Sequence, residues 1–146
     1  MKKHIIMFII MVIVGMLFNP MNMLANKMDD LYISLTLFYG GLLMASNMMW
    51  SHEIVHYLYM GHFNKSVFFI GIVLTLISIY LLRSQFLVND VNWLKRMIPH
   101  HSTALTTTKE LIKNNKNIRE NTKLYRLAKG IIYSQEREII IMKLLL

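Results

Sequence analysis

Histidine and methionine are the side chains through which this sequence could do chemistry. The chain has 146 residues, 13 of them Met and 6 His, and no cysteine. Disulfides and thiolate metal sites are therefore excluded. Three of the histidines lie in HEIVHYLYMGH, residues 52–62, which contains H-E-x-x-H. In a zinc protease, His52 and His56 would bind Zn²⁺ from one helix face and Glu53 would act as general base. His62 falls at the interval of a third ligand, but the glycine of the extended zinc motif is displaced, with Tyr59 in its place and Gly61 two positions late. The same stretch carries a second pattern. Met44, Met48, His52, His56 and Met60 are spaced by four, so on a helix each steps only about 40° round the surface. That ridge, with His62 beyond it, reads either as a metal-contacting stripe or as packing between helices, where flexible Met fills gaps.

A second concentration lies at MIPHH, residues 97–101. Met97 lies three residues before His100 and four before His101, so all three approach one another on a helix. Thioether sulfur with imidazole suits Cu(I) and is poorly matched to Mg²⁺ or Ca²⁺. Pro99 removes one backbone donor and predicts a kink or a helix boundary. His100 and His101 could equally serve that interrupted backbone through hydrogen bonds.

The elements that must position these residues follow from composition. Hydrophobic residues make up 55% of the chain and charged residues 16%, the mean hydropathy is +0.41 and the net charge is +8. Most of the positive excess lies from Arg83 onward. Uncharged runs at Ile5–Phe18, Leu31–Trp50 and Val67–Leu82 predict three transmembrane helices, since about 20 apolar residues cross a bilayer. With flanking residues the spans are about 5–25, 31–60 and 66–83. The first has the basic start of a signal peptide but Asn19-Pro20-Met21-Asn22 where a cleavage site would stand, and it is read as an uncleaved anchor. Pro20 is a natural helix stop and Gly61 a C′ residue. Positive charges are divided between both membrane sides. The basic start favours N-inside, which puts the C-terminal region outside the cytoplasm.

Residues 85–146 show two amphipathic repeats. Val91, Leu94, Met97, His101, Leu105 and Leu111 recur at helical spacing, as do Leu124, Ile131, Gln135, Ile139, Met142 and Leu145. They predict an antiparallel hairpin of about Asn89–Asn114 and Arg119–Leu146, its turn in the Asn/Lys-rich stretch Lys113–Lys123. His101 and Gln135 are expected near the seam, with Met142 facing the kink. Two helices alone bury little, so a second copy or the membrane surface is expected to supply the rest of the core. The basic residues are read as a solvated face against water or anionic lipid. Aromatics are not interleaved among them for base stacking, so no nucleic-acid partner is expected.

MIPHHSTAL at 97–105 followed by IIYSQEREIIIM at 131–142 resembles the domain-of-unknown-function 305 family, whose pattern is M-I-P-H-H-x-x-A-I and then I-I-x-x-Q-x-x-E-I-x-x-M. Met97, Ile98, Pro99, His100, His101, Ala104, Ile131, Ile132, Gln135, Glu138, Ile139 and Met142 carry it. The resemblance implies a ferritin-like helical module, often exported or membrane-anchored, with copper held by Met and His in some members. Met60-Gly61-His62 matches a small membrane branch of the family. Thr107 stands where the family usually has a further Met, which weakens the copper inference because a hydroxyl is a poor Cu(I) ligand.

The sequence is thus read as an all-α, multi-pass integral membrane protein and not an enzyme. Its expected ligand is a soft metal, copper first, at Met97, His100, His101 and Met142. Gln135 and Glu138 are expected to hydrogen-bond and orient those ligands, and the 44–62 ridge is a candidate for a second metal stripe. The alternatives are a structural or interaction module without metal and, behind it, an H-E-x-x-H zinc protease.

Overall fold

The computed structural model describes residues 2–115 and 117–146, and among them the regular structure is wholly helical. The order is α1 (Lys2–Leu17), α2 (Pro20–Met23), a 3₁₀ turn (Met28–Asp30), α3 (Leu35–Met60), α4 (Lys65–Ser84), α5 (Asp90–Asn114) and α6 (Thr122–Leu144). These form two compact units, Met1–Asn19 with Leu35–Val88, and Pro20–Ser34 with Asn89–Leu146.

In the first unit α3 packs against both α1 and α4. Small residues make this close approach possible. A Cβ at Gly41 would lie 2.9 Å from the Val12 carbonyl oxygen and from Met16 Cγ, and one at Gly71 would lie 3.0 Å from the Trp50 backbone nitrogen. Several polar side chains inside the unit are bonded within it. Asn47 Oδ1 accepts from Trp50 Nε1 at 3.2 Å and from Thr75 Oγ1 at 3.1 Å, and Ser78 Oγ donates to the Leu74 carbonyl. The α3–α4 turn has Gly61 in the left-handed region, φ 66°, as the C′ reading expects, and Asn64 caps α4 by accepting from Val67 N.

The outer faces of this unit are apolar, with Ile5, Ile9, Ile13, Phe69, Val73 and Leu76 all exposed. Lys3–Met23 and Lys65–Ser84 are long and apolar enough to cross a membrane, and only 11% of each apolar window is buried within the protein. The middle span expected at 31–60 is not matched in the same way. Its helix starts at Leu35, and its Ser46, Asn47, Ser51, His52, Glu53 and His56 lower its hydropathy below that of the other two. The first span is also shorter as a helix than expected. α1 stops at Leu17, and Pro20 opens α2 rather than merely ending α1, because a residue without an N–H costs nothing at a first helical position.

In the second unit α5 and α6 run antiparallel. The pairs His101–Glu138 and Lys109–Glu136 step in opposite directions along the two helices. Asn89 and Asn121 cap the N-termini by accepting from Asn92 N and Leu124 N. α5 continues unbroken through Pro99, so the expected boundary there does not form. The turn includes Lys116, which lies outside the described residues, while Ile118 N and Glu120 N close turn bonds to Asn115 and Asn117. The core is Leu94, Ile98, Leu105, Ile139 and Met142, with Tyr32, Met97 and Ile132 packed on it.

Tyr32 marks a departure from expectation. The third layer of this core comes from residues 20–34 of the same chain. Asp30 is 2% exposed. Its Oδ2 accepts from Ser102 Oγ at 2.6 Å, and Ser102 Oγ accepts in turn from Asn26 N at 2.7 Å. Lys143 Nζ lies 2.6 Å from Asp30 Oδ1, off the angle of a hydrogen bond, so the contact is an ion pair. Thr103 Oγ1 adds a bond to the Met21 carbonyl. The division expected at residue 84 therefore omits a segment that the C-terminal helices hold by buried polar contacts.

Candidate functional site

Met97, His101, Glu138 and Met142 line one pocket of about 240 Å³, together with Trp93 and Ile141. Residues 97 and 101 share a face of α5, and 138 and 142 share the facing stripe of α6, so the hairpin itself assembles the set. Met142 is buried in the core and Met97 packs on its edge. His100 and Thr107 lie outside this lining. Both are exposed, and being seven residues apart they share a face of α5 turned out of the pocket. Gln135 is half-buried and also outside the lining.

His101 is 8% exposed and both its ring nitrogens are engaged. Nδ1 lies 2.8 Å from the Met97 carbonyl oxygen. A carbonyl only accepts, so Nδ1 carries hydrogen. Nε2 lies 2.7 Å from Glu138 Oε2. Whichever of that pair holds the shared proton, His101 has no lone pair left for a metal while the bond stands. Glu138, not the Gln135 expected at the seam, is thus the partner of the buried histidine. The Met97 carbonyl is the one a turn before His101 itself and not the Lys95 carbonyl whose donor Pro99 removes, so this bond does not serve the interrupted backbone. His100 is held below the usual histidine range, by loss of solvation first and then by the positive charges of His101 and Arg96. Desolvation leads even though His100 as a whole is exposed.

The H-E-x-x-H segment forms the last turns of α3. Glu53 is 3% exposed, and its Oε2 accepts from Asn64 N at 3.1 Å, tying the α3–α4 turn to the helix. A general base must reach a water beside the metal. This carboxylate points instead into the turn. Along the Met/His ridge Met44, Met48, His52 and Met60 are exposed and His56 is half-buried, and Met44 also lies beside Gly15 of α1, where a Cβ would come within 3.5 Å of its sulfur. His52 and His56 stack with centroids 5.9 Å apart, and His62 meets His56 edge-on at 5.8 Å. Among the described residues no group of three or more His, Asp or Glu already surrounds a metal-sized space.

Residues 82–146 match the family described as Domain of unknown function (DUF305). An uncharacterised protein of Acanthamoeba polyphaga mimivirus is 34% identical over 138 residues, covering 94% of this chain and 88% of its own. The chain belongs to the DUF305 family. The likeness to the viral protein covers 94% of this chain and so extends beyond the family segment into the apolar half. No solved structure matches.

Asp30, Ser102 and Lys143 were not singled out from sequence. One signal was present: Asp29 and Asp30 are the sole acidic residues ahead of Glu53. A carboxylate in so apolar a region needs a buried partner or water.

Proposed function

We propose that this DUF305 protein is a membrane-anchored, non-enzymatic binder of a soft metal ion, copper(I), at the α5–α6 pocket. The observation that carries the reading is the convergence of Met97 and Met142 on one cavity beside His101. Two thioethers fit Cu(I), which accepts low coordination by soft donors. His101 joins them only by releasing Glu138, so the carboxylate sets how readily the imidazole becomes a third donor. His100, which the sequence reading included, stands outside the site.

The anchor in this proposal is the first unit, with α1, α3 and α4 all crossing. α3 has 26 residues, long enough for a hydrocarbon core of about 30 Å, and much of its polarity is spent on bonds within the unit, as lipid requires. N-inside orientation would put the basic second unit outside the cytoplasm, against lipid headgroups. A second copy is the expected partner, because α6 leaves Leu127, Tyr133, Ile140 and Leu144 exposed.

A second reading, a ferritin-like interaction module without metal, is favoured by the two bonds already made by His101. Titration of the detergent-solubilised chain with Cu(I) under reducing conditions, against a competing chelator, separates the two. Wild type should compete, and Met97→Leu with Met142→Leu should weaken binding by at least about tenfold, or 1.4 kcal/mol. Failure of the wild type to compete while its helicity is intact leaves the interaction module. A peptidase activity abolished by Glu53→Gln would return the zinc protease.

A further inference from the structure

His52 and His56 near the end of α3 and His62 in the turn after it lie in the other unit and offer a different donor chemistry from the soft pocket. His52 keeps half its side-chain surface exposed, 50%, and turns Nδ1 toward Glu53 Oε1 at 4.0 Å. His56 Nδ1 lies 3.0 Å from the His62 carbonyl oxygen. Since the carbonyl can only accept, His56 carries its hydrogen on Nδ1, and the Nε2 lone pair remains available. Outer-sphere support of this kind, a carbonyl holding one ring nitrogen as N–H, is what metal-bound histidines characteristically have. The support is itself built into the turn. Gly61 in the left-handed region reverses the chain, Glu53 holds Asn64 N, and together they bring residue 62 back onto residue 56.

We infer that His52 and His56 form a two-point chelate for a divalent transition ion of borderline softness, of the Zn²⁺ or Cu²⁺ type, bound through their Nε2 atoms. Imidazole nitrogen selects these ions over Mg²⁺ and Ca²⁺, and two donors one helical turn apart lie on one face. With each nitrogen about 2.1 Å from the ion and a tetrahedral angle between them, the ring centroids stand roughly 5 Å apart. The observed 5.9 Å is close to that, and the two rings must draw nearer to close the chelate. The buried Glu53 carboxylate supplies the nearest negative charge without being a ligand. Water fills the remaining positions. Glu53 is committed to the turn, so this is a binding site and not a hydrolytic one. Nothing in it depends on the Cu(I) pocket.

The test uses the full-length chain in detergent, purified through an affinity tag without histidine, and Zn²⁺ titrated against a chromophoric chelator. Wild type should take up one Zn²⁺ that excess Mg²⁺ does not displace. His52→Ala and His56→Ala should each weaken it by at least about tenfold, since even loss of an outer-shell partner costs 10–100-fold. His52→Gln with His56→Gln should abolish it at unchanged helicity, which guards against a variant that fails to fold. Glu53→Gln, whose amide oxygen can still accept from Asn64 N, should retain the ion, whereas Met97→Leu with Met142→Leu should leave Zn²⁺ uptake untouched. Cu²⁺ loaded in place of zinc should show nitrogen hyperfine coupling that disappears in the double glutamine variant. No uptake by wild type, or full uptake by a folded double glutamine variant, overturns the inference without bearing on the Cu(I) reading.

Discussion

Replacing Lys143 by Met should unlock residues 20–34 from the hairpin. Asp30 is 2% exposed and holds two partners, the Ser102 hydroxyl and the Lys143 ammonium. Lys143→Met keeps the length and apolar stem of the side chain but leaves a buried carboxylate with one neutral donor. Breaking a fully buried pair from one side costs about 3–5 kcal/mol. Lys143 is 30% exposed along its side chain, so entering water offsets part of this, and about 2–3 kcal/mol is expected. For a unit of this size that is a fall in Tm of roughly 10–20 °C. The companion Asp30→Asn with Lys143→Met removes the stranded charge while keeping an oxygen to accept from Ser102. It should recover most of the loss, to within about 1 kcal/mol of wild type. Thermal unfolding followed by circular dichroism, with limited proteolysis between residues 20 and 34 as a local probe, would measure both. A Lys143→Met protein within 0.5 kcal/mol of wild type, or a double variant as unstable as the single one, would refute the claim that this ion pair fastens the segment.

Two further outcomes follow from the same structure. Gly41→Ala places a Cβ 2.9 Å from the Val12 carbonyl oxygen, which is backbone and cannot swing aside, whereas Gly130 has open space around it; Gly41→Ala should cost about 1–3 kcal/mol and Gly130→Ala should gain up to about 1 kcal/mol, read as opposite shifts in thermal unfolding of the full chain. His100, depressed first by desolvation and then by His101 and Arg96, takes up a proton more readily in the unfolded chain, so its contribution is present above the usual histidine value of about 6.5 and is lost as pH falls from there through the lower folded value; urea midpoints at pH 7.5 and pH 5 should differ less in His100→Gln than in wild type, and an unchanged difference would remove His100 from the account.

Local pattern carried much of this protein. The uncharged runs determine where apolar helices form, the three-and-four spacing from Val91 to Leu145 determines a hairpin with Met97, His101 and Met142 on its inner stripes, and Gly61 marks the end of α3, because each depends on residues within one or two turns of one another. The paired MIPHH and IIYSQEREIIIM motifs determine the family for the same reason, as order along the chain. What local pattern cannot carry is which polar group meets which across elements. Gln135 and Glu138 are one turn apart on α6, and the rotation of that helix against α5 decided that Glu138 takes His101. His100 and His101 are adjacent, yet packing buried one and left the other outside the pocket. The H-E-x-x-H motif gives no local sign that the Glu53 carboxylate accepts from Asn64 N, eleven residues on. The segment 20–34 is divided in sequence between two expected spans and the gap at 26–30, because the anchors of Asp30, Ser102 and Lys143, lie 72 and 113 residues further along. A buried charge is tolerated only where partners reach it, and only the packed chain determines which partners those are.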